Sequence, residues 1–428
     1  AIVKYHHDGG KKYQFLQKSV MIIASVPHNI REMIRHRSLN LNKIINAPPK
    51  LTKHKDKKRF QRFISSSRDA LLILPRYDHS LNRSIIEVLN LDNFEVIHTY
   101  KHDIKEMTNQ IRNIEKYPEL KVNNSPIRFQ YRHPLLLNDG SIISNYELGP
   151  AYKIDLCSNL KWINDEEIFH HSKMFDHEGN IWVGGQINPK SKYVSKYQIK
   201  GFEDDSIMKI NTDGQVLFNK SVTEILIENK IFPYNFALNS SLSGEFDPIH
   251  LNDIEPVFNN SEYWKKGDIF LSIRNQSSII HYRPKTNEVI KYIPGPFAHQ
   301  HDVDIISDKE ISIFNNNNFL VDNKYSQIII YNFETDKFRT LIDNQLQNEN
   351  FKTKSQGLSH IFNDGAIMVE EQNHGRIILF NNEGKKEWEF INKDKNGNIG
   401  YLKWSRIIEN KLLINNFKSS IKNKNCSN

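Results

Sequence analysis

The sequence predicts an all-β fold, a six-bladed β-propeller with four-stranded antiparallel blades, preceded by a short basic arm. Three observations carry this. From residue 68 onward, short apolar runs alternate with Asp/Gly turns, the pattern of successive antiparallel strands. Turn anchors at Gly140, Gly179, Gly267, Asp308 and Gly365 head a four-strand theme that recurs, at its closest, every ~40 residues, the repeat length of propeller blades. The 428 residues are 38% hydrophobic and 11% aromatic, enough to fill a core and too apolar for global disorder. The alternative arrangement of the same strands is one β-sandwich or a pair of them.

Residues 1–62 read as a basic arm and linker, and 63–428 as the propeller. The arm concentrates charge in Lys50–Arg62, offers one short amphipathic helix at Asn29–His36, and has a linker at Asn46–Pro49. It is a solvated arm first, with contact to an anionic membrane surface as the second reading. Strands are expected at Ala70–Pro75, Ser84–Leu91 and Phe94–Tyr100, followed by a helix near Asp103–Lys116. The theme then repeats through Ala151–Leu156, Leu160–Ile163, Gly267–Gln276, Ser278–Tyr282, Glu288–Ile293, Ile311–Phe314, Gln327–Tyr331, Gly365–Val369, Gly375–Phe380 and Lys386–Phe390. An insertion spans 219–248. Tyr401–Ile408 and Lys411–Asn415 are expected to pair with the first blade and close the ring, because an open sheet edge invites aggregation.

Net charge is +8, which suits an anionic partner, although much of the excess lies before residue 62. The basic stretch does not interleave aromatics as a single-strand nucleic-acid platform does, and no phosphate-cradling glycine loop is present. Nucleic acid and nucleotide are therefore not expected partners. No run of 18 apolar residues exists for a membrane-spanning helix. Two cysteines, Cys157 and Cys426, are too few for a disulfide framework or a cysteine metal site, and a bridge between them is not predicted.

The chemistry is expected where first-strand positions of the blades converge on a channel. Those positions carry His170 and His171, His250 and Asn252, His299 and His301, and His360; Arg274 with Asn275 ends a second strand. In an extended segment His299 and His301 share a face. Neutral histidine is a nucleophile and proton shuttle near pH 7, and arginine offers a fork for a tetrahedral oxyanion. The same histidines also suit a divalent metal, the lesser alternative; no metal or cofactor is expected. Structural roles are expected for His281, His360 and His374. Asp302, adjacent to His301, is expected on the opposite face.

From about 165 to 392 the chain resembles the bacterial arylsulfotransferases, propeller enzymes that move a sulfuryl group between phenols without a nucleotide sulfate donor. The resemblance lies in His170-His-Ser with the turn at 176–180, His250-Leu-Asn-Asp-Ile, Ser272-Ile-Arg-Asn-Gln-Ser, Gln300-His-Asp and Asn373-His-Gly-Arg-Ile. It implies a ping-pong reaction through a sulfohistidine, with an aryl sulfate and a phenol as partners. It places the nucleophile at His301, the sulfuryl-binding arginine at Arg274 and supporting catalytic histidines at His250 and His171. Asn252, His170, His299 and Asn275 fall at substrate-binding positions. It also implies a periplasmic protein, free or membrane-anchored, and allows a homodimer. The family's separate N-terminal β domain and nearby cysteine pair are not evident. A hydrolase or lyase on the same histidines, or a non-catalytic ligand-binding propeller, are the alternatives.

Overall fold

The computed structural model describes residues 47–112, 114–117, 120, 124–197, 201–232, 247–319, 325–424 and 426. The helix expected at 29–36, the arm up to residue 46 and most of the 219–248 insertion lie outside them. The described residues from Pro48 onward belong to one unit.

The chain enters through β1 (Phe60–Arg62) and then forms the meander β2 (Leu71–Asp78), β3 (Arg83–Asn90) and β4 (Val96–Tyr100). Helix α1 (Ile104–Asn109) follows, its first turn capped by the Asp103 carboxylate, which accepts from the Lys105 and Glu106 N–H groups. Next come β5 (Arg132–Leu136), β6 (Ile142–Asn145), β7 (Gly149–Ile154), the 16-residue β8 (Leu160–Phe175) and β9 (Ile181–Gln186). After α2 (Lys192–Tyr197) the chain forms β10 (Asp205–Ile210), β11 (Val216–Ser221) and α3 (Val222–Glu228). The next two units are β12 (Leu251–Pro256), β13 (Ile269–Ile273), β14 (Ser278–Arg283) and β15 (Glu288–Pro294), then β16 (Val303–Ile305), β17 (Glu310–Asn315), β18 (Gln327–Asn332) and β19 (Lys337–Leu341) with α4 (Asp343–Asn348). The last unit is β20 (Leu358–Ile361), β21 (Ile367–Glu371), β22 (Arg376–Phe380) and β23 (Lys386–Ile391); β24 (Arg406–Ile408) and α5 (Lys411–Lys422) finish the chain.

All named ladders are antiparallel, and the fold is all-β and propeller-like. The strands form five sheets, in the orders β24-β2-β3-β4, β5 to β11 in sequence, β12 to β15, β16 to β19, and β20-β21-β22-β23-β1. Four of these have the size of a single blade, where six separate blades were expected. The fifth has seven strands because β8 runs on without a break: its first half pairs with β7 and its second half with β9.

The expected closure forms. Leu71–Ile73 pair with Arg406–Ile408, so the last strand of the chain becomes the edge strand that completes the first sheet. Beyond it the chain is helical, not a strand. Asn410 caps α5 through the Leu413 N–H, and Ile414 and Phe417 are buried on one helix face. That helix delivers Cys426 to Cys157, and the two are disulfide-bonded with a Cα–Cα distance of 5.5 Å. The bridge was not expected, because a 269-residue separation says nothing about proximity until the ring closes. The expected arm boundary at residue 62 also moves. Phe60–Arg62 form a strand on β23, and His54 and Lys53 reach the buried Glu371 carboxylate.

Core residues lie between neighbouring sheets, as in the cluster of Leu251, Ile254, Leu271 and Ile280 with Ile207 and Trp182 of the preceding unit. Buried carboxylates tie neighbouring units together. Asp253 accepts from Ser172 Oγ and from the Val303 N–H, Asp302 from the Ser359 N–H (2.9 Å), and Glu370 from the Trp404 and Ser405 N–H groups. These acceptors use backbone donors that a short strand would otherwise bury unpaired. Asp302 therefore links two inner strands rather than holding a histidine ring.

Candidate functional site

One backbone feature recurs at the entry of every inner strand. His133 in β5, His171 in β8, His250 before β12, His299 before β16, Gln356 before β20 and Trp404 before β24 all have left-handed φ values, from 33° to 59°. Non-glycine residues adopt this region at a cost of about 1–3 kcal/mol and hold it where surrounding structure demands it, often at functional sites. Four of these residues sit where a connecting loop meets the strand, whereas His133 lies within β5 and His171 within the unbroken β8. The rings meet: His171 lies 5.1 Å from His250 and 6.5 Å from Trp404, and Trp404 lies 5.9 Å from His301 and 5.1 Å from His133.

His301 is buried. Its Nδ1 lies 2.6 Å from Asn316 Oδ1 and 3.0 Å from the His299 carbonyl, two acceptors, so Nδ1 carries the proton. Nε2 then holds the lone pair, and it accepts from the Gln356 N–H at 2.8 Å. Burial pushes the His301 pKa down to about 3; the Arg274 and His250 charges push the same way, against the Asn316 hydrogen bond. The ring is neutral across the physiological range. His299 is half-buried, and its pKa is lowered by burial and by Arg274 and His250. Its φ of 57° breaks the extended geometry that would have set His299 and His301 side by side on one face.

Arg274 opens the tight turn after β13. Its N–H donates to the His250 carbonyl at 3.1 Å, and Nη1 donates to Asn275 Oδ1 at 2.7 Å. Asn275 is held in turn by its Nδ2 on the Asp247 carbonyl, so it braces the guanidinium. Arg274 has no carboxylate within 4.0 Å among the described residues. Burial lowers its pKa, and Asp247 opposes the change. His250 Nδ1 pairs with Asp247 Oδ2. Asn252 is buried, donates from Nδ2 to the Gln300 carbonyl at 2.7 Å, and leaves Oδ1 without a partner among the described residues.

The tandem pair separates into two layers. His171 faces His250, and burial with the neighbouring histidines holds its pKa well down. His170, expected at a substrate-binding position, sits behind it. Its Nε2 faces the Gly185 carbonyl at 3.1 Å and Asp205 Oδ1 at 3.3 Å, and its Nδ1 faces His171 Nδ1 at 2.7 Å. Successive residues of a strand point to opposite faces, and the β8–β9 register also shifts between His170 and Lys173.

The site thus joins His171, His250 and His301 with Trp404 and Gln356, and sets Arg274, Asn275 and Asn252 beside it. His281 bonds Asp268 and His360 bonds Glu409, structural roles as expected. Trp404, Gln356, Asn316 and Asp205 were not anticipated. Asn316 had a signal: the turn at Asn315–Asn317 occupies the same second-to-third-strand connection as Arg274–Gln276 and Gln372–His374. Trp404 had none, since it comes from the far end of the chain. Among the described residues no group of three His, Cys, Asp or Glu side chains is arranged to hold a metal ion. A separate groove of about 870 Å³, bordered by His177, Trp182, Lys265 and Arg283, touches none of the expected residues.

A propeller-like fold with histidines, an arginine and a tryptophan gathered at its inner strand entries defines a class of histidine-centred propeller proteins. The arylsulfotransferase (ASST) family model matches residues 135–393, more than half of the chain, and the chain belongs to that family. No curated protein matches it. Among solved structures, a protein of unknown function from Bacteroides caccae aligns with a TM-score of 0.50 at 13% identity, covering 80% of this chain and 99% of that one, a likeness of fold. A protein of unknown function from Desulfotomaculum acetoxidans aligns at TM-score 0.40 and 9% identity, covering 74% of this chain and 78% of that one. A catalytically inactive virginiamycin B lyase from Staphylococcus aureus with quinupristin aligns at TM-score 0.40 and 11% identity, covering 81% of this chain and 99% of that one.

Proposed function

We propose that this chain transfers a sulfuryl group from an aryl sulfate to a phenol by double displacement through His301. The observation that carries the proposal is the fixed tautomer of that ring. Asn316 Oδ1 and the His299 carbonyl hold the proton on Nδ1, which leaves the Nε2 lone pair for sulfur. The Gln356 N–H on that lone pair moves onto a sulfonate oxygen as sulfur approaches, and Asn316 stabilises the positive ring that forms. Arg274, free of a carboxylate partner, neutralises the sulfonate oxygens in the transition state. His250 and His171 exchange the proton of the phenol oxygen. Six inner entries support counting the seven-stranded sheet as two blades joined through β8, and hence six blades around one funnel.

A second assignment has one observation in its favour: the His299 ring has no hydrogen-bond partner among the described residues. The deciding experiment is intact-protein mass after mixing with excess 4-nitrophenyl sulfate, for wild type, His301→Ala and His299→Ala. Gain of one sulfuryl group, lost in His301→Ala and kept in His299→Ala, supports the proposal; the reverse pattern moves the nucleophile to His299. Added phenol separates transfer from hydrolysis. No adduct and no nitrophenol would refute aryl sulfate chemistry and favour a lyase or a non-catalytic propeller. We further propose an oxidising compartment, the periplasm by family, which the Cys157–Cys426 bridge supports; fractionation tests it. A homodimer, and contact of the basic arm with an anionic membrane surface, are the remaining proposals, read by solution mass and by anionic vesicle binding.

A further inference from the structure

Behind the funnel wall three titratable groups stand in line. Asp205 faces His170 Nε2, His170 Nδ1 faces His171 Nδ1 at 2.7 Å, and His171 Nε2 has no partner among the described residues. The other Asp205 oxygen, Oδ2, accepts the Leu251 N–H at 2.6 Å, immediately after His250. One carboxylate therefore fixes the ring behind His171 and the strand entry that carries His250.

We propose that Asp205, His170 and His171 form a proton relay that serves the phenol oxygen at the sulfuryl centre. The inference rests on the sulfuryl-transfer reading. The hydrogen-bond pattern sets the direction. His170 Nε2 is surrounded by acceptors and must carry a proton. A short Nδ1–Nδ1 contact needs one proton between two ring nitrogens. A cationic His170 donating to a neutral His171 satisfies both, and it leaves His171 with its N–H on Nε2.

The electrostatics agree. Burial acts against a charged His170, but Asp205 and Glu147 outweigh it and raise its pKa; Glu203 faces the same ring. His171 faces His170, His250, His301, Arg132 and Glu147, and its pKa is held well down. The proton rests on the inner ring and is lent to the outer one.

In the first half-reaction the His301 Nε2 lone pair forms the N–S bond and the S–O bond to the aryl group breaks. The departing oxygen keeps the electron pair and takes the His171 Nε2 proton. His171 Nδ1 takes the His170 Nδ1 proton, and His170 ends neutral with Nε2–H still on its acceptors. The second half runs in reverse. The acceptor phenol gives its proton to His171 Nε2, the His171 Nδ1 proton returns to His170, the phenol oxygen bonds to sulfur, and the N–S electron pair returns to His301. His171 touches the reacting oxygen and is catalytic; His170 and Asp205 are positioning residues that act through it.

The test is leaving-group dependence. His170→Gln and Asp205→Asn are compared with wild type on 4-nitrophenyl sulfate, whose phenoxide departs readily, and on phenyl sulfate, whose phenoxide needs the proton. The expected loss in kcat/KM is about 100-fold on phenyl sulfate and markedly smaller on 4-nitrophenyl sulfate. The basic limb of the wild-type pH profile should be lost with it. Equal losses on both donors in a folded variant overturn the relay and leave sulfuryl transfer standing. A wild type without adduct or turnover refutes both. Asp205→Asn keeps the side-chain volume and an acceptor for the Leu251 N–H, so it supplies the ratio if His170→Gln fails to fold.

Discussion

Replacing Asn316 by Asp tests the nucleophile without touching it. Asn316 is fully buried, and its Oδ1 sits 2.6 Å from His301 Nδ1. The substitution is nearly isosteric but places an ionisable oxygen against the ring. A carboxylate this close raises a histidine pKa by about 1–3 units, equivalent to about 1.4–4 kcal/mol. His301 would then move from about 3 into the range between about 4 and 6. The assay is the rate of sulfo-enzyme formation from 4-nitrophenyl sulfate against pH, in single turnover. In wild type the neutral His301 imposes no acid limb above about pH 4. In the variant an acid limb should appear between about pH 4 and 6, with near-normal rates at pH 7.5 and above. The reasoning is refuted if wild type already shows a limb near the ordinary histidine pKa and Asn316→Asp leaves it in place. In that event the attacking ring is not the one Asn316 holds, and His299 takes its place.

Three further outcomes follow from the same structure. Arg274→Lys keeps the charge but loses the planar fork, and kcat/KM for aryl sulfates should fall by about 10²–10³-fold with the protein folded, measured against a melting control. Burial and Asp253 push the Asp304 carboxyl up to about 7. Because the folded pKa lies above the unfolded value of about 3.9, the cost of ionising it grows as pH rises through that window and is complete above it. Asp304→Asn should therefore raise the melting temperature at about pH 8 and leave it unchanged near pH 4; an equal shift at both would refute the assignment. Replacing both Cys157 and Cys426 by Ser should lower unfolding free energy by about 2–4 kcal/mol, read by denaturant titration, and the reductant sensitivity of wild type should disappear.

Much of the site was legible in the chain because its residues recur in register. His250-Leu-Asn and Gln300-His-Asp stand at matching places in successive units, and the turn after the second strand carries Arg274 in one unit and Asn316 in the next. What misled was the assumption of extended backbone. Alternation puts His299 and His301 on one face only if φ is negative at both, and His299 is left-handed. For His170 and His171 alternation sets the two rings on opposite faces without saying which face is inward, and the structure turns His171 toward His250 and His170 toward the Gly185 carbonyl behind it.

The sequence by itself determined the all-β class, the closing strand and the histidine–arginine set. Those depend on local period, turn residues and motif spacing, which are properties of short segments. Tertiary structure decided which groups act together. Trp404 reaches His171 and His133 only because the last strand closes onto the first sheet, while the Gln356 N–H reaches His301 Nε2 from the entry of the next inner strand. The Cys157–Cys426 bridge has the same origin. Such contacts follow from where the ends of the sheet meet, and no local pattern of residues encodes that meeting.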